Sequence, residues 1–131
     1  LYRRDFRPSR YLQQPHVMLA LNVVVSDSDD DAARLFTTQQ QAFVNLRRGR
    51  PGLVPPPLES AQAFENYANA AECVGVDAAL ACAAVGSIAT VRKKMQAFVQ
   101  QHRPNELILT ANVFDHVARI RSFELAMEAW R

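Results

Sequence analysis

Two short, nearly unbroken apolar runs, each feeding directly into an amphipathic segment, limit what this chain can fold into. The second is the sharper of the two. From Glu106 to Val113 the sequence carries Leu107, Ile108 and Leu109, short enough for a strand covered on both faces. Asp115 then stands at an N-cap position. Val117, Ile120, Phe123, Met127 and Trp130 follow at spacings of three and four, which predicts one buried stripe on a helix over Asp115 to Arg131. A strand leading into a helix is the repeating unit of a parallel α/β fold. The first run, His16 to Val25, is rich in β-branched residues and broken by Asn22, which is either a satisfied core amide or a group pointing toward a ligand.

Between these runs the chain reads mainly as helix. Ser28 and Asp31 form an S-x-x-D pattern resembling a capping box, so the acids Asp29, Asp30 and Asp31 suit the positive end of a helix better than a metal site. Ala32, Leu35, Phe36, Phe43 and Leu46 supply its buried stripe, Gln39, Gln40 and Gln41 interrupt it, and Arg47, Arg48 and Gly49 mark its end. Residues 50–57, RPGLVPPP, hold four prolines and a glycine and must form a loop. Three arginines beside a stiff proline segment suit either a lid carrying anion-binding groups over a site or a solvated linker.

Glu59 to Ala84 is Ala-rich, with Phe64, Tyr67, Ala68 and Ala71 on a helical face. Gly75 divides this region. Asp77 starts a second short helix through Leu80 and Cys82, or Ala81 to Val85 is extended. Ser87 caps a further helix with Ile88, Val91, Met95 and Phe98 inward and with His102 and Pro104 at its end. The Gly86-Ser87 turn also offers N–H groups to a phosphate, but such a turn alone does not define a site. At the start, Arg3, Arg4, Arg7 and Arg10 lie among Tyr2, Phe6 and Tyr11 and read as a solvated helix end and loop, broken by Pro8.

Composition bounds the function. A chain of 131 residues with 49% hydrophobic content supports one core, so residues 1–131 are read as one domain. The 15 basic and 13 acidic residues leave a net charge of +2, too little for the electrostatic footprint of a nucleic-acid binder. No run reaches the length of a membrane span and no secretory signal opens the chain, which predicts a soluble, cytoplasmic protein. Cys73 and Cys82 form no CxxC and have no His at zinc spacing; reduced thiols and no metal are expected. The opening on Leu1, within what resembles the end of a helix, points to a fragment.

Taken in order, YRRDFRPS near the start, LNVVVSDSDDDA at the first junction, FVNLRRGRPG followed by PPP, VGS with TVR, and NELILTANVFDHVARIRSFELAMEAW at the end resemble the bacterial luciferase-like flavin-dependent monooxygenases. The resemblance covers nearly the whole chain. It departs at Ile88 and Ala89, where the family usually has Pro and Glu. It implies an α/β chain that is the C-terminal fragment of a (β/α)8 TIM barrel, helix-rich with about two parallel strands, and an active-site lid loop at 47–58.

The implied chemistry is oxygenation of a small organic substrate such as an aldehyde by reduced flavin and O2. Reduced FMN is the expected cofactor, with the deazaflavin coenzyme F420 in some relatives, and a flavin reductase and a second copy of the chain are the expected partners. By the same resemblance Asn112, Arg48 and Arg50 are candidates for flavin or substrate contacts and His116 for the titrating catalytic group, although Asp115 and His116 also suit a helix start. Two strands cannot close an eight-stranded barrel, so the fragment is expected to need a covering partner and to be inactive alone. Competing readings are a noncatalytic helical interaction module and, against the small net charge, a nucleic-acid binder.

Overall fold

The first apolar run forms the central strand, β1 (Met18–Val25), of a three-stranded parallel sheet in the order β2-β1-β3. The computed structural model describes all residues 1–131. The second run forms β3 (Glu106–Thr110), in register from Met18 opposite Glu106 to Asn22 opposite Thr110. β2 (Ala84–Gly86) pairs with the far end of β1, from Val23 opposite Ala84 to Val25 opposite Gly86. This third strand realises the extended alternative near Ala81 to Val85. The competing helix is absorbed into α4 (Ala70–Leu80), which runs through Gly75 without a break.

The expectation of a TIM-barrel arrangement is corrected here. The sheet is small and open, with β2 and β3 as its two edges, and no barrel is closed. Closure requires strand number, tilt and stagger to be mutually consistent, and three strands twisting by about 20–25° each give only a ribbon.

One face of the sheet carries the core. Leu21, Val23 and Val25 point with Ala84 into a cluster completed by Val91 and Met95 of α5 (Ile88–His102) and by Leu125, Ala126 and Ala129 of α6 (His116–Trp130). The alternation is that of a strand, whose successive side chains point to opposite faces. On the other face Val24 meets Leu35 of α2 (Asp29–Arg47) and Val113. Farther down that face Met18 and Ile108 remain 49% and 47% exposed.

The inner stripe expected for α5 is present, with Val91 and Met95 fully buried and Ile88 and Phe98 packed against them. The stripe expected for α6 is not. Ser122, Leu125, Ala126 and Ala129 are buried, whereas Val117, Ile120, Met127 and Trp130 lie outside and only Phe123 of the expected set packs on the core. The small side chains let α6 approach β1 closely, and buried Ser122 Oγ accepts a hydrogen bond from Val25 N at 2.8 Å. Large apolar residues marked a stripe by spacing, but close packing selected the small ones.

α2 departs from its expected stripe too. Its buried residues include Thr37, Thr38, Gln39 and Gln41, while Leu46 is exposed. Gln41 is inside because the proline loop folds back over the helix: its Nε2 donates to Pro56 O at 2.9 Å, and Leu58 N donates to Thr37 Oγ1 at 2.8 Å. The short α3 (Phe64–Tyr67) and α4 close this end through Val44, Phe64, Ala68 and Val76. At the opposite extreme, the short α1 (Tyr2–Asp5) is solvated as expected, and its exposed Arg3 donates to the carbonyls of His102 and Arg103 at the C-terminus of α5. No helix is long and apolar enough to cross a membrane.

Candidate functional site at the carboxyl ends of the strands

In open parallel sheets the carboxyl ends of the strands, where chain leaves for the next helix, are where ligands are bound. Three such junctions lie side by side here. The β1–α2 junction is set by Ser28, whose side chain accepts from Asp31 N at 3.1 Å and caps α2. The box is not reciprocal, because the Asp31 side chain turns instead to the Ser26 hydroxyl and to Arg34, 2.7 Å from Nη2. The Ser26 hydroxyl, followed by Arg34, holds the Asp31 carboxyl below its ordinary range.

Asp29 reaches across to the β2–α5 junction. Its Oδ1 accepts from Ser87 N at 2.6 Å and its Oδ2 from Thr90 Oγ1 at 3.0 Å. The Ser87 backbone donor is the main reason its carboxyl is held below the ordinary range. α5 has no acidic residue in its first turn, so Asp29 supplies the negative charge that end favours. Gly86, at φ 145°, permits the approach: a Cβ there would stand 2.6 Å from Asp29 Oδ1 and from Thr90 Cγ2. The turn offered by sequence to a phosphate is thus already engaged by a carboxylate.

The β3–α6 junction holds the other candidates. Asp115 caps α6 by accepting from Ala118 N at 2.8 Å. His116 is exposed, and Arg119 Nη2 lies 3.0 Å from its Nδ1, so Nδ1 accepts and Nε2 is left to carry the proton. Asn112 is exposed. Asn22 lies one strand away, its Oδ1 accepting from Thr110 Oγ1 at 3.0 Å. It is therefore a partnered amide whose Nδ2 is still available.

Asn112 and His116 share this junction, but Arg48 and Arg50 follow the last residue of α2, a 19-residue helix about 28 Å long. Arg48 is engaged by Glu72, with Nε–Oε1 at 2.6 Å and Nη2–Oε2 at 2.7 Å, and also donates to Tyr67 O. Arg50 is exposed and belongs to none of the ion pairs. Glu72 was missing from the candidates, although Asn69-x-x-Glu72 is itself a capping-box pattern and both of its reciprocal bonds form. The Asp29–Ser87 contact spans 58 positions and has no local signal.

Two depressions flank these groups. A cleft of about 500 Å³ beside the first two junctions is lined by Asp29, Asp30, Phe36, Gln40, Thr90 and Lys94. An apolar groove of about 320 Å³ lies at the other end of β3, among Met95, Leu107, Leu109, Met127 and Trp130. No group of three or more His, Cys, Asp or Glu could hold a metal ion. For a flavin, the free donors are Arg50, Asn112 and the Asn22 amide. Their chemistry fits a phosphate or a polar ring edge, but nothing in the chain encloses them together.

No protein-family model matches the chain. It is 41% identical over 128 residues, 98% of its own length, to a luciferase-like monooxygenase of Escherichia coli K12. It is 32% identical over its whole length to the uncharacterized protein YvbT of Bacillus subtilis. The crystal structure of apo-MsnO8 superimposes with a TM-score of 0.81 at 23% identity, covering 98% of this chain and 39% of that one. The chain spans 37% and 38% of the length of the two curated relatives. Its fold is thus one found within longer chains, and its sequence is homologous, over nearly all its length, to a portion of the Escherichia coli luciferase-like monooxygenase.

Proposed function

We propose that the chain is the C-terminal part of a flavin-dependent monooxygenase that uses reduced FMN and O2 to oxygenate a small organic substrate such as an aldehyde. The observation that carries this is the 41% identity to the Escherichia coli luciferase-like monooxygenase over 98% of the chain. When bound, the reduced flavin supplies the electrons that activate oxygen. The part of this chain is to bind, orient and exclude water. Arg50 offers a guanidinium to the flavin phosphate from the 47–58 segment, which acts as the lid, and Asn112 offers an amide to a polar edge of flavin or substrate. His116 presents a proton at Nε2 toward the mouth, held in that tautomer by Arg119. Arg48, engaged with Glu72, serves as the post that positions the lid arginine.

The test is flavin binding and turnover in a protein that joins this chain to the remainder of the luciferase-like sequence. Quenching of FMN fluorescence, weakened by Arg50→Ala and Asn112→Ala, together with aldehyde oxidation that depends on reduced flavin and O2, is the expected result. Absence of flavin binding in that protein, or selective binding of a deazaflavin, would refute the assignment.

A further inference from the structure

Asn22 is the one polar side chain in the apolar run of β1, and Asn is disfavoured in strands, where valine and leucine pack better. It stands opposite Thr110 in the β1–β3 register, on the face away from α5 and α6, because Leu21 and Val23 on either side of it point into the helix-covered core. Thr110 Oγ1 donates to Asn22 Oδ1 at 3.0 Å, the one side-chain hydrogen bond that either residue makes. The surroundings are apolar. Ala20 and Ile108, the next pair down the same face, are exposed, and Val24, the next residue of β1 on it, packs with Leu35 and Val113. A single polar pair in an otherwise apolar surface, at the carboxyl ends of the strands, is the composition of a ligand site, where a few polar groups fix orientation.

The pair has a definite hydrogen-bonding code. With the bond as it stands, Asn22 Nδ2 offers a donor to a ligand and a lone pair of Thr110 Oγ1 offers an acceptor. With the amide turned over, Nδ2 donates to Oγ1, and the ligand meets Oδ1 as acceptor and the hydroxyl as donor. Either way the surface presents one donor beside one acceptor.

We propose that Asn22 and Thr110 are a specificity pair that reads a donor set beside an acceptor in the ligand, the N–H and C=O of a cis amide, lactam or imide. This rests on the function proposed above in taking the mouth of the strands as the binding site. A phosphate, a carboxylate or a lone carbonyl offers acceptors only, and a hydrocarbon offers nothing, so each leaves half of the pair or all of it unmatched. The same edge chemistry has two sources here: the imide of a flavin ring, or a substrate that carries a lactam.

The experiment uses the chain joined to the remainder of the luciferase-like sequence. It compares FMN with FMN methylated at its imide nitrogen, by fluorescence quenching, and carbostyril, a bicyclic lactam, with its N-methyl derivative, by calorimetry. Methylation removes the donor and is expected to weaken binding by about tenfold or more for the source that the pair reads, less than a sealed site achieves. The penalty should vanish in Asn22→Leu and Thr110→Val and persist in Thr110→Ser, which keeps the hydroxyl. Asn22→Asp leaves two acceptors, so preference should pass from carbostyril to the aminoquinolinium cation that presents two N–H donors side by side. A merely structural role would shift the affinities of both members of a pair together and leave their ratio unchanged. No methylation penalty for either source, or a penalty that survives in Asn22→Leu, would overturn the proposal. FMN binding and aldehyde oxidation without any methylation penalty sink the specificity pair and leave the function standing. A penalty on carbostyril in a protein that binds no flavin does the reverse.

Discussion

Arg48 and Glu72 join the end of α2 to the start of α4 through two parallel hydrogen bonds of 2.6 and 2.7 Å. Arg48, followed by the Asn69 backbone N–H, lowers the Glu72 carboxyl to about 2. The folded value lies below the unfolded one, so the contribution is fully present above the ordinary carboxylate value of 4.5 and is lost as pH falls toward about 2. Thermal melts between those limits should therefore separate wild type from Glu72→Gln, with the wild-type melting temperature falling more steeply. Parallel curves would contradict the assignment.

Gly86 and Gly75 predict opposite outcomes for one substitution. Gly86→Ala forces a side chain into a φ of 145° and against Asp29 and Thr90, at an expected cost of about 1–3 kcal/mol. Gly75→Ala meets only the far end of Arg47 at 2.8 Å, and removal of a helix-interior glycine should stabilise by about 0.5–1 kcal/mol. Urea unfolding of the two variants measures both.

The inversion of the α6 stripe is testable in the same way. Leu125→Ala empties a site only 2% exposed and should cost about 2–5 kcal/mol, whereas Ile120→Ala should stay within about 0.5 kcal/mol in the lone chain. Comparable losses at the two positions would mean that the helix is rotated.

Ser122→Ala removes the acceptor for a buried strand N–H. The stranded donor at Val25 should cost about 1–3 kcal/mol in denaturant unfolding, more than the loss of a hydroxyl alone would suggest.

The two longer strands and the starts of α2, α5 and α6 were legible in the sequence because their causes are local. The apolar runs at Met18–Val25 and Glu106–Thr110, the Ser28 and Asp115 caps and the inner face of α5 all follow from spacing and capping chemistry. What failed was long-range. Which stripe of α6 faces inward depends on how closely β1 approaches, and small residues such as Ala126 and Ala129 carry no strong apolar signal. Gln41 is buried because a loop more than ten residues later folds over it. The Asp29 contact with Ser87 exists because β2 and β1 are neighbours. Of the four candidates, Asn112 and His116 share one junction whereas Arg48 and Arg50 lie past the far end of α2, and the partners Glu72 and Arg119 emerged only from the fold.

The proline loop carries one last consequence. Arg50 N is fixed to Asn45 O on one side and Pro56 O to Gln41 on the other, leaving Arg50 to Pro55 between two posts. Six residues extend to at most about 20 Å, so a tip at Leu53 can rise no more than about 10 Å from its supports. The segment is a short loop tethered at both ends, so any movement of its prolines stays close to the α2 surface on which it is folded.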